Sequence, residues 1–173
     1  MTQPQLAGIA RSRSPLQVDR LTLATLTTAF SLQGSNLSFS RIEASPSQGG
    51  QITGAGTVKV GAAARLDLTF NGENLPGDAL AATYGVNLNP DRLRLGNLDT
   101  QVTIAGRLNQ LQTEIDWQAP QATYAGRGTV AIAAGQPLQL RDTTLAVNGG
   151  TVTGSGALDL PRQQWQTDLA IHQ

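Results

Sequence analysis

From Val18 onward, apolar and polar residues alternate along this chain with a period of two. Leu21 and Leu23 share a face, then Phe30 and Leu32, then Leu37 and Phe39, with Ile42 in shifted phase. That period belongs to β-strands with one dry face and one wet face. The clearest instance is Gly49-Gly50-Gln51-Ile52-Thr53-Gly54-Ala55-Gly56-Thr57-Val58-Lys59-Val60, with Ile52, Gly54, Gly56, Val58 and Val60 on one side. The template returns at 149–160 and, more loosely, at 122–132.

Each of these three stretches carries two glycines on the dry face, two residues apart: Gly54 and Gly56, Gly126 and Gly128, Gly154 and Gly156. A glycine inside a strand costs roughly 0.5–1 kcal/mol against alanine. If additive, these six weaken the fold by about 3–6 kcal/mol, a large share of a typical domain's stability. Two compatible compensations exist. The glycines allow a bend or bulge that lets the sheet coil, or they admit a facing backbone or ligand close to the dry face.

Taken in order, residues 1–16 contain Pro4, Gly8 and Pro15 and predict at most one irregular strand; residues 17–173 read as a single repetitive β domain. Ser45-Pro46-Ser47-Gln48-Gly49 predicts a turn. Leu66-Asp67-Leu68-Thr69-Phe70 alternates cleanly, and Asn71-Gly72 predicts its end. The one helical stretch is Ala79 to Tyr84, with Asp78 as its N-cap and Gly85 as its C′ residue. Asn89-Pro90-Asp91 predicts a turn. Strands are then expected at 92–95, 101–108, 112–118, 122–132, 138–140, 145–147 and 150–160, the last closed by Pro161, with a final strand through Trp165, Thr167, Leu169 and Ile171. The fold class is therefore all-β, with about eleven or twelve strands in antiparallel hairpins and one short helix near 78–84. One small helix cannot cover so much dry sheet. The dry face must close on itself as a sandwich or barrel, or remain a groove filled by something else.

Composition narrows the function. Formal net charge is +0 over 173 residues, so no basic stripe offers itself to nucleic acid. Charged residues are only 14% of the chain, and Gln, Asn, Thr and Ser fill the polar positions instead. Cysteine is absent, which removes disulfides and thiolate metal sites. No apolar run reaches the length of a membrane span, and no signal-peptide core is visible. The stretch after Met1 reads as mid-protein, so the chain is expected to be a piece of a longer one.

Catalytic residues are expected to be none, and metal ligands and cofactors likewise none. The single histidine, His172, is the penultimate residue and would fray, which argues against a Ser-His-Asp triad or an imidazole metal site. Asp67, Asp99, Glu114, Asp116 and Asp159 mostly alternate with apolar neighbours, as on a solvated face, while Glu73 and Asp142 fall in turns or loops. A glycosidase needs two carboxylates poised in a cleft, usually with aromatic platforms, and aromatics are only 4% here. The pairs Gly54-Ala55-Gly56 and Gly154-Ser155-Gly156 continue into strand and lack a third glycine, so they are not dinucleotide-binding loops. Nor does an aspartate follow at the spacing of calcium-binding β-roll repeats. Trp117 and Trp165, with Ile115 and Leu169 alternating beside them, read as core more readily than as ligand platforms.

The phrase Gly-Gly-x-Ile/Val-Thr-Gly-x-Gly-x-Val/Leu at 49–58 and 149–158 resembles the repeats of the TamB family. That family comprises the translocation and assembly proteins of bacterial envelopes, their chloroplast-envelope relatives and the wider AsmA-like group. Leu66-Asp67-Leu68-Thr69-Phe70-Asn71-Gly72-Glu73-Asn74-Leu75-Pro76 is similar to the family's strand running into an Asn-Leu-Pro turn. Leu95-Gly96-Asn97-Leu98-Asp99 through Ile104-Ala105-Gly106-Arg107-Leu108 is similar to its Gly-x-Leu strands. The likeness covers roughly residues 20–160, and the absence of a glycine-rich, asparagine-proline ending makes an internal segment the expectation.

The resemblance implies a long curled sheet, U-shaped or taco-like, with an apolar groove inside and the paired glycines bending it. Its lining would be Leu37, Phe39, Ile52, Val58, Val60, Leu66, Leu68, Phe70, Val102, Ile104, Val130, Ile132, Leu138, Leu140, Leu145, Val147, Val152 and Leu158. It further implies phospholipid transport between membranes or help with outer-membrane protein assembly. The implied partners are phospholipid acyl chains and an Omp85-type assembly protein, with no nucleic acid. The implied location is the periplasm or intermembrane space, the parent protein being anchored in the inner membrane outside this segment. No motif reads a headgroup. The alternatives are a secreted structural or adhesive β-solenoid, which needs a regular short period that 54 to 126 to 154 does not supply, and a β-sandwich scaffold that binds client polypeptides by its edge strands.

Overall fold

Alternation with little helix to cover it produces one sheet. The structure, a computed structural model, describes residues 5–62, 64–159, 162 and 164–172. Its elements are β1 (Gln5–Arg11), β2 (Leu16–Val18), β3 (Leu21–Gln33), β4 (Asn36–Pro46), β5 (Gln51–Lys59), β6 (Arg65–Pro76), α1 (Gly77–Thr83), β7 (Asn97–Arg107), β8 (Gln110–Ala119), β9 (Gly126–Ala133), β10 (Leu138–Val147), β11 (Gly150–Asp159) and β12 (Gln164–His172). From β3 to β12 each strand pairs antiparallel with its neighbour in sequence, and β1 and β2 share the free edge of β3. The result is a 12-stranded, curled antiparallel sheet that does not close: β1 and β12 are its two ends. It is neither a sandwich of two sheets nor a solenoid of stacked coils.

Several strand boundaries differ from expectation, each for a local reason. β6 runs through Asn71-Gly72 to Pro76, because Gly72 is laddered on both sides, to Ile52 and to Thr100. The reversal comes only after α1. Residues 92–95 form no strand, since their amides are engaged elsewhere. Arg92 and Leu93 donate to the Asn89 carbonyl, Arg94 to Thr123 Oγ1, and Leu95 to an Asp78 carboxylate oxygen. The stretches 138–140 and 145–147 are two ends of one strand, β10, joined through a bulge at Asp142 (φ 48°). β9 begins at Gly126, not at 122. Residues 5–11, within the segment read as irregular, form a regular edge strand registered residue for residue on β3. The closure at Pro161 lies outside the described residues.

The helix forms where expected but is capped differently. Its N-cap is Pro76, which offers no side-chain acceptor. Asp78 instead accepts hydrogen bonds from the amides of Leu95 and Gly96, tying the helix to the loop before β7. At the other end, Gly85 (φ 83°) donates to the Ala82 carbonyl and Val86 to the Ala81 carbonyl, a complete Schellman motif. Gly77 sits so close to the Gly96 carbonyl and Leu98 that a Cβ there would come within 2.9 Å of both. Between β10 and β11, Asn148 (φ 49°) and Gly149 (φ 83°) make the two-residue turn whose twist matches a hairpin.

The well-buried apolar residues are few: Leu23, Ala44, Leu75 and Ala119. By register all four lie toward the rim that carries α1, beside Pro46, Ile52, Leu98 and Gly126 respectively. Among the described residues no large side chain is fully enclosed. The core is a seam along one rim, and the rest of the dry face stays half open.

Candidate functional site

In an antiparallel ladder, directly paired residues project to the same face, so the register assigns every strand residue to a side. One row runs Leu37–Val58–Leu66–Gly106–Leu111 across five strands. A second runs Phe39–Gly56–Leu68–Ile104–Thr113–Ile132. A third runs Gly54–Phe70–Val102–Ile115–Val130–Leu140–Gly156–Thr167. Toward the helix-bearing rim, Ile52 faces Gly72, and Gly126, Leu145, Val152 and Ile171 continue the surface. Leu138 with Leu158, and Val147 with Gly150, complete the same side. All the groove-lining residues expected from sequence thus share one face, except Val60, which follows the last residue of β5 and is exposed.

The same registers add residues that were not among the expected lining, including Leu26, Phe30, Leu32, Ile42, Leu111 and Leu169. Trp117 and Trp165, expected as closed core, lie on this open face too, Trp165 at 75% exposure. A usable signal was Ile42 in shifted phase, since a phase slip inside a continuing strand marks a bulge.

This face carries no ionisable side chain at any registered strand position. Every one that pairs there falls on the opposite side. Arg11 and Glu43 lie across from Thr27, Asp99 and Arg127 from Gln118, Asp116 from Thr129, and Asp168 from Ser155. The polar face is knit by short contacts: Asp116 accepts from the Thr129 hydroxyl, and Arg41 pairs with Glu43. On the apolar face the polar members are threonines. The Thr28 hydroxyl is buried and has no hydrogen-bond partner.

The paired glycines sit where the ladder slips. Gly54 and Gly56 face the β4 bulge between Phe39 and Ile42, and Gly154 and Gly156 face the β10 bulge between Leu140 and Thr143. Gly128 lies within the matching slip between β9 and β10. What approaches them is the sheet itself. Phe70 lies over Gly54, Leu145 over Gly126, Leu169 over Gly154, and Trp117 with Thr143 over Gly128. A side chain at Gly56 (φ 148°) would overlap the Asp67 carbonyl oxygen. Bend and close approach are therefore one device, in which large side chains fill the space left at the kinks.

Among the described residues no group of three or more carboxylate or imidazole side chains is placed to hold a metal ion. No helix among the described residues is long and apolar enough to cross a membrane. The Tyr84 phenol is raised above its usual value by burial and then by the adjacent Asp19 carboxylate. It lies at the end of α1, away from the apolar rows. A scan of protein-family models found no match, and neither did searches of characterised proteins and of solved structures.

Proposed function

We propose that this chain is a segment of a TamB-like envelope protein whose open apolar face holds phospholipid acyl chains during transport between membranes or during outer-membrane protein assembly. The observation that carries the reading is the charge-free face of an unclosed sheet, broad enough for several strands yet covered by no second layer. Apolar surface left half open in this way usually marks a binding surface. A hydrocarbon chain matches it: flexible, without hydrogen-bonding groups, and indifferent to the order of Leu, Val, Ile and Phe. The chain's own residues then act as a slide, excluding water without fixing one position. Location in the periplasm or intermembrane space, an anchor in the inner membrane outside this segment, and a partner of the Omp85 type follow from the resemblance.

The test is extraction and mass spectrometry of lipid from the purified, natively folded chain. Phospholipid at near-stoichiometric level, lost when Ile52 and Val130 are both replaced by glutamate in a protein that still folds, is the expected result. A stable protein that holds no lipid would refute it. A second reading rests on β12, which is exposed along its length and leaves one side of its backbone unpaired. Such an edge accepts a client strand by β-augmentation. Protection of the β12 amides from exchange by an added unfolded outer-membrane polypeptide, with no bound lipid, would favour it.

A further inference from the structure

The rim opposite α1 is formed by the hairpin turns 33–36, 59–65, 107–110 and 133–138. Three of its strand ends are cationic. Lys59 closes β5, Arg65 opens β6 and Arg107 closes β7. The register sets Lys59 directly opposite Arg65, and Arg65 directly opposite Arg107. Paired positions of this kind hold their Cβ atoms about 4.5–5.5 Å apart, and like charges there repel. The flanking partners are neutral, Asn36 beside Lys59 and Gln110 beside Arg107. None of these turns contains a carboxylate. Among the described residues, the ion pairs are made by Arg41 and Arg162, not by these three.

All three cations are exposed and by register leave their strand ends on the polar face, while Val60 and Leu108, which follow Lys59 and Arg107 in the turns, are exposed apolar side chains on the rim itself. One rim thus carries a net positive patch, three cations against the single carboxylate Asp67 two residues along β6. The long side chains of the cations can reach round the strand ends to where the Val58–Leu66–Gly106 row stops on the other face. A ligand that satisfies both features has an anionic group joined to a hydrocarbon chain. We propose that Lys59, Arg65 and Arg107 bind the phosphate of an anionic phospholipid headgroup whose acyl chains lie on the apolar face. This rests on the groove reading and names which lipids the groove prefers. Two guanidinium groups and an ammonium suit phosphate oxygens, the arginines by forked hydrogen bonds. A free phosphate would ignore Val60 and Leu108. A zwitterionic lipid offers the same phosphate but brings its own ammonium, which offsets the relief of the repulsion within the row.

The test incubates the purified chain with vesicles of dioleoyl phosphatidylglycerol or dioleoyl phosphatidylcholine, then repurifies it and counts lipid by mass spectrometry. The acyl chains are identical, so only the headgroup differs. With each exposed contact worth a factor of about two, the three together favour the anionic lipid about tenfold at low salt. The preference falls toward one at about 0.5 M salt, where screening is strong. The triple variant Lys59→Gln, Arg65→Gln, Arg107→Gln is expected to lose the preference while retaining phosphatidylcholine at the wild-type level. Its thermal melt serves as the folding control, since all three positions are at exposed strand ends.

Equal capture of both lipids by wild type, unchanged in the variant, would overturn the headgroup assignment and leave the groove standing. Capture of neither lipid would overturn the groove reading and this inference with it. Glycerol 3-phosphate titrated calorimetrically is expected to show no measurable binding. Tight binding that vanishes in the variant would assign the patch to a soluble phosphate instead.

Discussion

An open face and a closed core respond in opposite order to the same pair of substitutions, Ile132→Glu and Leu75→Ala. Ile132 is 42% exposed on the apolar face, whereas Leu75 is 7% exposed under the helix-bearing rim. Fully burying an isoleucine is worth about 1.5–3 kcal/mol, so losing its partial burial here costs about 1–2 kcal/mol. The glutamate keeps access to water at that exposure, and no desolvated charge is added. Leu75→Ala removes buried methyl groups packed over Gly72 and costs about 2–5 kcal/mol. The polar, charged substitution should therefore be the milder one. Equilibrium unfolding in guanidinium, with both variants at one protein concentration, measures the difference. Lipid retention should reverse the ranking, with Ile132→Glu losing bound lipid and Leu75→Ala keeping it at temperatures where it remains folded. If Ile132→Glu proves the more destabilising by several kcal/mol, the face is a sealed core and the reasoning fails.

Three further outcomes follow from local geometry. Gly56→Ala meets both a positive φ and the Asp67 carbonyl, whereas Gly61→Ala meets a positive φ (112°) with open space around it. The first should cost about 2–5 kcal/mol and the second about 1–2 in denaturant melts, and equal losses would remove the close-approach argument. Thr28→Val replaces an unpartnered buried hydroxyl by a methyl group of similar shape, so the midpoint should rise by about 1–3 kcal/mol of stability; a fall would mean the hydroxyl has a partner. In a Tyr124→Phe background, ultraviolet titration should find Tyr84 ionising above the usual tyrosine range, and less so after Asp19→Asn. Because folding raises this pKa, its stabilising contribution is full below the unfolded value near 10 and disappears as pH climbs through the folded value. A normal Tyr84 titration would show that the Asp19 contact does not form.

The strands were legible because the chain keeps a period of two almost everywhere. Ile52, Val58, Leu66, Leu68 and Phe70 can be placed on one side by counting alone. Counting fails where the backbone inserts a residue. Between Phe39 and Ile42, between Gly72 and Leu75, and between Leu140 and Thr143, one strand advances by one residue more than its partner. Asn74 (φ 51°) and Asp142 (φ 48°) take up two of these slips, in a backbone region that asparagine and aspartate tolerate. Strict parity beyond each slip would have sent Ile42, Leu75 and Leu145 to the wet side and Arg41, Glu43 and Thr144 to the dry one. The Asn71-Gly72 pair misled for a related reason. Its turn chemistry is real, but neighbours on both sides pinned Gly72 into the ladder first.

The charge-free face is therefore a property of the registers and not of any one stretch of sequence. Each bulge bends the sheet while returning the apolar residues to the same side, and the glycines opposite make room for the bend. Remove the bulges and the curvature goes. Move one by a single residue and an arginine or glutamate enters the trough. That coupling also explains why the cationic rim cannot be read from sequence, since Lys59, Arg65 and Arg107 become one row only when the β5–β6 and β6–β7 pairings fix their registers together. A register shift in β6 or β7 would disperse the cations and introduce charge to the apolar face at once. Headgroup preference and acyl-chain capture are therefore expected to fail together in register mutants, and separately in side-chain mutants.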